Sequence, residues 1–305
     1  MKEKQIHQQG FFFVLSVCLV ASLLVLAGTA AFAGEGGGNH YAGGNEDFMA
    51  GATPPPGFYY LNYFSWYRAD ALRDNDGNKV PMDFKLDAVA NASRFIYSSK
   101  RNILGGNLVL HTIIPVVNLH VSAGGAGQSK TGLGDIFAGA VVAWHTKNLH
   151  WMVGMDVVMP TGSYDVNDMV NPGRNYWSYN PVAGVTYLSD GGWEASGKFM
   201  YFINTVNNAN DYRSGEEFSM DYLLGKHFGN LKIGVNGHYL IQTTNDVMKN
   251  PPANFDGNRG GVLSVGPAFQ YHYKNMFLNL KYTFDTNVKN RPDGQTLWCK
   301  FLYAF

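Results

Sequence analysis

From Gly57 to the last residue, hydrophobic and polar positions alternate in segments of roughly ten to fifteen residues, the two-residue period of a β-strand. In NLKIGVNGHYLIQTT, Leu231, Ile233, Val235, Tyr239 and Ile241 share one face, and Lys232, Asn236, His238 and Gln242 the other. MFLNLKYTFD repeats the pattern, with Met276, Leu278, Leu280, Tyr282 and Phe284 opposite Asn279, Lys281, Thr283 and Asp285. About twelve such segments are predicted, starting near Gly57, Asp83, Asn107, Leu133, Leu149, Tyr176, Trp193, Glu217, Leu231, Gly261, Met276 and Gln295. The alternation slips around Asn91 and Pro115, as a β-bulge would make it do.

The connections carry as much information as the strands. Those after the fourth, sixth, eighth and tenth segments are tight: TKN, SDGG, FGN and YKN. Most of the intervening ones are long and polar, including SAGGAGQSKT, PTGSYDVNDMVNPGRN and TTNDVMKNPPANFDGNRGG. Short turns alternating with long loops are the layout of an outer-membrane barrel, with turns periplasmic and loops outside. A soluble β-sandwich has no reason to alternate loop length so regularly. An even strand count also brings both chain ends to the periplasmic side.

The chain stops on TLWCKFLYAF. Leu297, Cys299, Phe301, Tyr303 and Phe305 form an apolar face, and Thr296, Trp298, Lys300, Leu302 and Ala304 the other. This strand is predicted to close the barrel against the first. Phe301, Tyr303 and Phe305 then fall at its periplasmic end, in an aromatic girdle. A terminal Phe with alternating aromatics also resembles the closing strand by which outer-membrane barrels are recognised by the barrel-assembly machinery.

The N-terminus reads differently. Lys2 and Lys4 precede the apolar run FFFVLSVCLVASLLVLAGTA, and Ala31-Phe32-Ala33 fits a small-x-small cleavage site, so residues 1–33 are predicted to be a secretory signal peptide. Residues 34–56 are rich in glycine and end in Pro54-Pro55-Pro56; they either trail as a periplasmic tail or fold into the lumen and plug it. The barrel itself is assigned to 57–305. No second apolar run reaches the length of a membrane helix, and lipid leaves a closed barrel as the other way to satisfy the backbone.

Composition sharpens this picture. Of 305 residues, 14% are aromatic and 15% charged, against about 25% charged in soluble domains. The net charge of zero excludes a nucleic-acid footprint. The two cysteines, Cys18 and Cys299, make no disulfide framework and have no metal-ligand neighbours.

Candidate chemistry is sparse. A lipase-like barrel needs a serine activated by a histidine, and no G-x-S-x-G context occurs among the histidines His111, His120, His145, His150, His227, His238 and His272. His145 and His150 flank the TKN turn, where a solvated pair is expected. No catalytic residue, metal site or cofactor is predicted. By alternation the lumen receives Asp156, Glu194, Lys198, Asp221, Lys232, His238, Lys281 and Lys300. The inward set also includes Phe137, Phe202, Met152, Leu223, Leu240 and Leu302, a polar lumen interrupted by apolar positions. Tyr176, Trp177 and Tyr179, near the outer rim, belong either to an interfacial girdle or to a stacking platform for an aromatic ligand.

Several stretches in this order resemble the family called "meta-pathway of phenol degradation", or SphX-like. They are FMAGATPPPGFYYLNYFSWY, the GLGD run Gly132–Asp135, PTGSYD at Pro160–Asp165, NPGRNYWSYNPVAGVTY at Asn171–Tyr187, DYRSGEEFSMDYLLGKHF and GPAFQYHY. The resemblance implies an outer-membrane barrel of a Gram-negative bacterium that passes small hydrophobic or aromatic compounds, and it supplies no catalytic residue. The expected fold is therefore all-β, an antiparallel transmembrane barrel of about twelve strands. Its expected partners are outer-membrane lipid, a small hydrophobic or aromatic solute and the assembly machinery. The alternatives are a closed structural or surface-binding barrel and an outer-membrane hydrolase.

Overall fold

The computed structural model describes residues 35–251 and 255–305; the signal-peptide expectation falls on 1–33, outside the described residues. Among the described residues thirteen strands follow one another: β1 (Gly57–Leu72), β2 (Phe84–Ile103), β3 (Gly106–Ala123), β4 (Ala126–Leu133), β5 (Ile136–His145), β6 (Leu149–Met159), β7 (Ser178–Leu188), β8 (Trp193–Asn204), β9 (Glu217–Phe228), β10 (Leu231–Gln242), β11 (Gly261–Tyr273), β12 (Met276–Lys289) and β13 (Pro292–Ala304). Each neighbouring pair is antiparallel. β13 closes on β1 in the register Tyr60↔Tyr303 to Trp66↔Leu297, so the circuit has no open edge apart from β4. Among the described residues no helix is long and apolar enough to cross a membrane.

The barrel wall has twelve strand positions, because β4 and β5 share one. β3 pairs through Val116–Ala123 with β4, and through Asn107–Ile113 with β5. The break lies at Gly134–Asp135, opposite Ile114–Pro115. Pro115 has no N–H to donate, and its carbonyl instead accepts from Gly134 N at 2.9 Å. SAGGAGQSKT is therefore a tall β3–β4 hairpin and not the loop its glycines suggested. The free edge of β4 would invite pairing. The loop after β6 covers it: Ser163 N donates to Leu133 O at 2.7 Å, and Lys130 and Gln128 hold Asp168. A Cβ on Gly162 would stand 2.5 Å from the Gly173 backbone, so this covering loop requires glycine there.

Burial is inverted relative to a soluble protein. Val153, Met155, Val235, Leu278, Leu280 and Phe284 point outward and are about half exposed, whereas Lys281, Asp221, Asn236 and Asn279 are at most 1% exposed inside. Apolar surface of this extent on a closed barrel fits a lipid environment. Aromatic side chains gather at the end bearing the tight turns: Phe58 and Tyr97 lie 4.7 Å apart between centroids, and Trp144 stacks on Trp151 at 6.0 Å. Tyr303 and Phe305 meet edge to face there, and Phe305 N donates to Phe58 O at 3.2 Å. The protein is a closed antiparallel β-barrel with the apolar outer face of a membrane-spanning one.

Candidate functional site

The lumen is organised by residues 35–56. Glycine-rich chain has few side chains of its own to clash with, so it fits between the inward faces of a twelve-position barrel. At the long-loop end, the Glu35 carboxylate accepts from Tyr164 OH at 2.6 Å and Asn207 Nδ2 at 2.7 Å, while Arg174 Nη1 donates to its carbonyl. At the turn end, Gly51 N donates to Thr186 Oγ1 at 3.0 Å and Thr53 reaches His145. A Cβ on Gly51 would lie 2.2 Å from the Val185 backbone, so glycine alone lets the chain pass this close to the wall.

Midway, the segment carries a buried charge cluster. Asp47 Oδ1 accepts from Lys300 Nζ at 2.6 Å and Asn279 Nδ2 at 2.7 Å, and Lys281 Nζ stands 3.1 Å from Oδ2. Glu46 Oε1 is 2.7 Å from Arg94 Nη1 and 3.8 Å from Lys198 Nζ, and its Oε2 is 3.8 Å from Lys300 Nζ. Burial alone would push the Glu46 carboxyl up, but Arg94, Lys198, Lys300 and Lys281 together hold it well below the usual carboxylate range. On the opposite wall Asp221 accepts from Tyr41 OH at 2.5 Å, Gly44 N at 2.7 Å and Glu46 N at 3.0 Å. Burial first, and then Asp221, raises the Tyr41 phenol well above its usual value, so it stays a donor. Higher up, His40 lies 3.1 Å from Asp135 of the GLGD run, and burial lowers its imidazole despite that carboxylate.

The inward candidates meet this segment at most positions. Glu194 Oε1 accepts from Met49 N at 2.6 Å, and its Oε2 is 2.6 Å from His227. Lys198 stands over the Tyr41 ring at 5.4 Å, and Lys232 over Phe48 at 5.8 Å. His238 packs against Gly43, with its Nδ1 2.8 Å from Ser264 Oγ. Asp156 pairs instead with buried His111 at 2.9 Å.

Sequence reasoning passed over Glu46, Asp47, Arg94 and Tyr41. The signal was present as Asn45-Glu46-Asp47, a pair of acids in an otherwise neutral glycine-rich stretch, and as Arg94 on the otherwise apolar or small inward face of β2. The structure separates the three rim aromatics. Tyr176 is buried, edge-on to His40 at 4.4 Å, while Trp177 and Tyr179 are more than 40% exposed on the outer side. β7 begins at Ser178, so Tyr176 and Trp177 fall in the loop entering it, whose irregular backbone does not follow strand alternation, whereas Tyr179 is a strand residue on the outward face.

Above His40–Gly43 lies a cavity of about 320 Å3. One wall is the inward face of β2 and β3, lined by Ala88, Ala90, Ala92, Ile113, Pro115 and Val117; the facing wall mixes Leu240 and Val262 with His238, Ser264, Asp285 and Arg291. No group of three or more His, Cys, Asp or Glu side chains among the described residues is placed to hold a metal ion.

A model of the family described as "Putative MetA-pathway of phenol degradation" matches residues 69–301. The chain belongs to this phenol-degradation family. No curated protein matches its sequence. Among solved structures, the chain is similar to an outer membrane channel from Pseudomonas putida F1, at 16% identity and a TM-score of 0.74, covering 85% of this chain and 99% of that one. It is also similar to the β domain of the Bordetella autotransporter BrkA, at 10% identity and a TM-score of 0.51, covering 82% and 100%. At these identities the likeness is one of fold.

Proposed function

We propose that this protein is a passive outer-membrane channel for small hydrophobic or aromatic compounds, with residues 34–56 acting as its internal plug. The observation that carries this reading is the continuous apolar wall of Ala88, Ala90, Ala92, Ile113, Pro115 and Val117, with Leu240 and Val262 also lining the cavity, in a lumen that elsewhere carries buried charges. A water-filled pore selective for ions has no use for such a wall; a small apolar solute moving down its gradient does. Membership in a family described by phenol degradation supports the reading, as does a relative described as an outer membrane channel. Passage of this kind needs no cofactor. A hydrolase is not supported: the Ser264–His238 pair has Gly43 packed on the imidazole, where a substrate would have to sit.

The buried ion pairs of Glu46 and Asp47 favour a second reading, a closed barrel whose long loops bind a partner. Flux into liposomes separates the two. Full mature chain and a variant lacking Gly34 to Thr53 are compared with phenol-like solutes and small sugars. Faster entry of aromatics than of sugars through the full chain supports the channel. Flux that appears only on truncation, for every solute alike, makes the barrel a closed one.

A further inference from the structure

At the turn end of the barrel two histidines from adjacent strands face each other directly. His145 ends β5, His150 stands second in β6, and they are register partners across the TKN turn. Their Nδ1 atoms are 3.0 Å apart, with ring planes 53° from parallel. Two ring nitrogens at that distance hold one proton between them at most, so at least one presents a lone pair to the other. The orientation has a further partner: His145 Nε2 lies 3.3 Å from Thr53 Oγ1, where the N-terminal segment leaves the lumen. With its Nε2–H donating to Thr53, His145 carries no proton on Nδ1 and aims that lone pair at His150. His145 is exposed and His150 half-buried, so the pair is open to water from this end.

We propose that His145 and His150 form a two-nitrogen binding site for a divalent late transition metal, Cu(II) foremost. The separation favours one coordination geometry once each ring turns its lone pair from the other nitrogen to a shared ion. An ion about 2.0–2.1 Å from both nitrogens, across the observed separation, subtends about 91–97°. That is the cis angle of square-planar or tetragonal coordination, which Cu(II) and Ni(II) adopt, and is narrower than the tetrahedral angle Zn(II) favours. Water fills the remaining positions. The proton balance is simple: His150 shifts its proton from Nδ1 to Nε2, both Nδ1 lone pairs bind the ion, and the neutral pair releases no proton. A bound cation draws electron density from the His145 ring and strengthens its Nε2–H donation to Thr53. Metal at this site therefore tightens the hold on the exit of the N-terminal segment.

Copper titration of the tag-free, full mature barrel in detergent tests the site, read by calorimetry and by electron paramagnetic resonance. The expected result is one saturable site per chain, a spectrum with two equivalent nitrogens and affinities in the order Cu(II), Ni(II), Zn(II). H145A and H150A should each weaken copper binding at least tenfold, whereas H120A and H272A, which alter other accessible histidines, leave it unchanged. His145→Gln keeps a polar side chain and serves if alanine impairs folding, which is read from heat-modifiable electrophoretic mobility. Copper binding that survives the His145/His150 double variant, a spectrum showing one nitrogen, or tighter binding of Zn(II) than of Cu(II) overturns the proposal and leaves the pair as a hydrogen bond only.

Discussion

Lys281 Nζ lies 3.1 Å from Asp47 Oδ2, and neither side chain has any solvent exposure. One partner belongs to the barrel wall and the other to the N-terminal segment, 234 positions earlier in the chain. A buried pair is weak proof of net stability, but removing one partner strands the other's charge in a low-dielectric site. The pair therefore makes the segment's position in the lumen close to all-or-none.

Asp47→Asn should weaken the hold on the segment by about 3–5 kcal/mol, because Lys281 loses its paired carboxylate and Lys300 keeps only Glu46, at 3.8 Å. The check is cleavage of the N-terminal segment by added protease, which should accelerate while the heat-modifiable barrel band persists. Adding Lys281→Met to Asp47→Asn should recover part of the protection. If Asp47→Asn leaves cleavage unchanged, this cluster does not hold the segment.

Neutralising both acids with Glu46→Gln and Asp47→Asn leaves Arg94, Lys198, Lys281 and Lys300 facing one another. The expected outcome is an anion-selective pore, measured as a reversal-potential shift in a KCl gradient across planar bilayers. A cation-selective or silent variant would contradict the charge reading of the lumen.

The Glu46 carboxyl is depressed in the folded protein, so its contribution is fully present above the usual carboxylate range and is lost as pH falls through its low folded value. Solute flux through the full chain should accordingly be flat between about pH 5 and 7, and rise only in strong acid. Liposome flux across that range is the measurement, and a rise near neutrality would point to a different titrating group.

Ala90→Phe places a ring in the cavity of about 320 Å3 against the apolar wall. Entry of phenol-like solutes should fall several-fold with ion conductance through the truncated barrel little changed. Equal loss of both would mean that ions and aromatics share one path past Ala90.

Deleting Phe305 removes the last ring of the turn-end girdle and its backbone bond to Phe58. We expect reduced outer-membrane levels, through slower handling by the assembly machinery, without altered conductance of the barrels that do assemble. Unreduced membrane levels would remove the terminal Phe from that role.

Strand alternation, the loop-length rhythm and the closing strand were legible in the sequence because each is a local property. Inward and outward faces follow from a two-residue period, and turn length from a handful of residues. The β4–β5 break was visible only as a slip near Pro115; its meaning needed the opposing strand, where Gly134 takes the proline carbonyl. Tyr176 was misplaced for a similar reason, since alternation has no force in the loop before β7.

The sequence by itself therefore determined the closed β-barrel and its two-faced strands, since an apolar surrounding and a polar interior dictate which kind of side chain can sit at each strand position. The tertiary structure alone decided what those inward charges meet. Glu46 and Asp47 find Arg94, Lys281 and Lys300 because barrel closure brings β2, β12 and β13 around one glycine-rich segment. Burial without water then requires each of those charges to have a partner, and no local pattern records who that partner is.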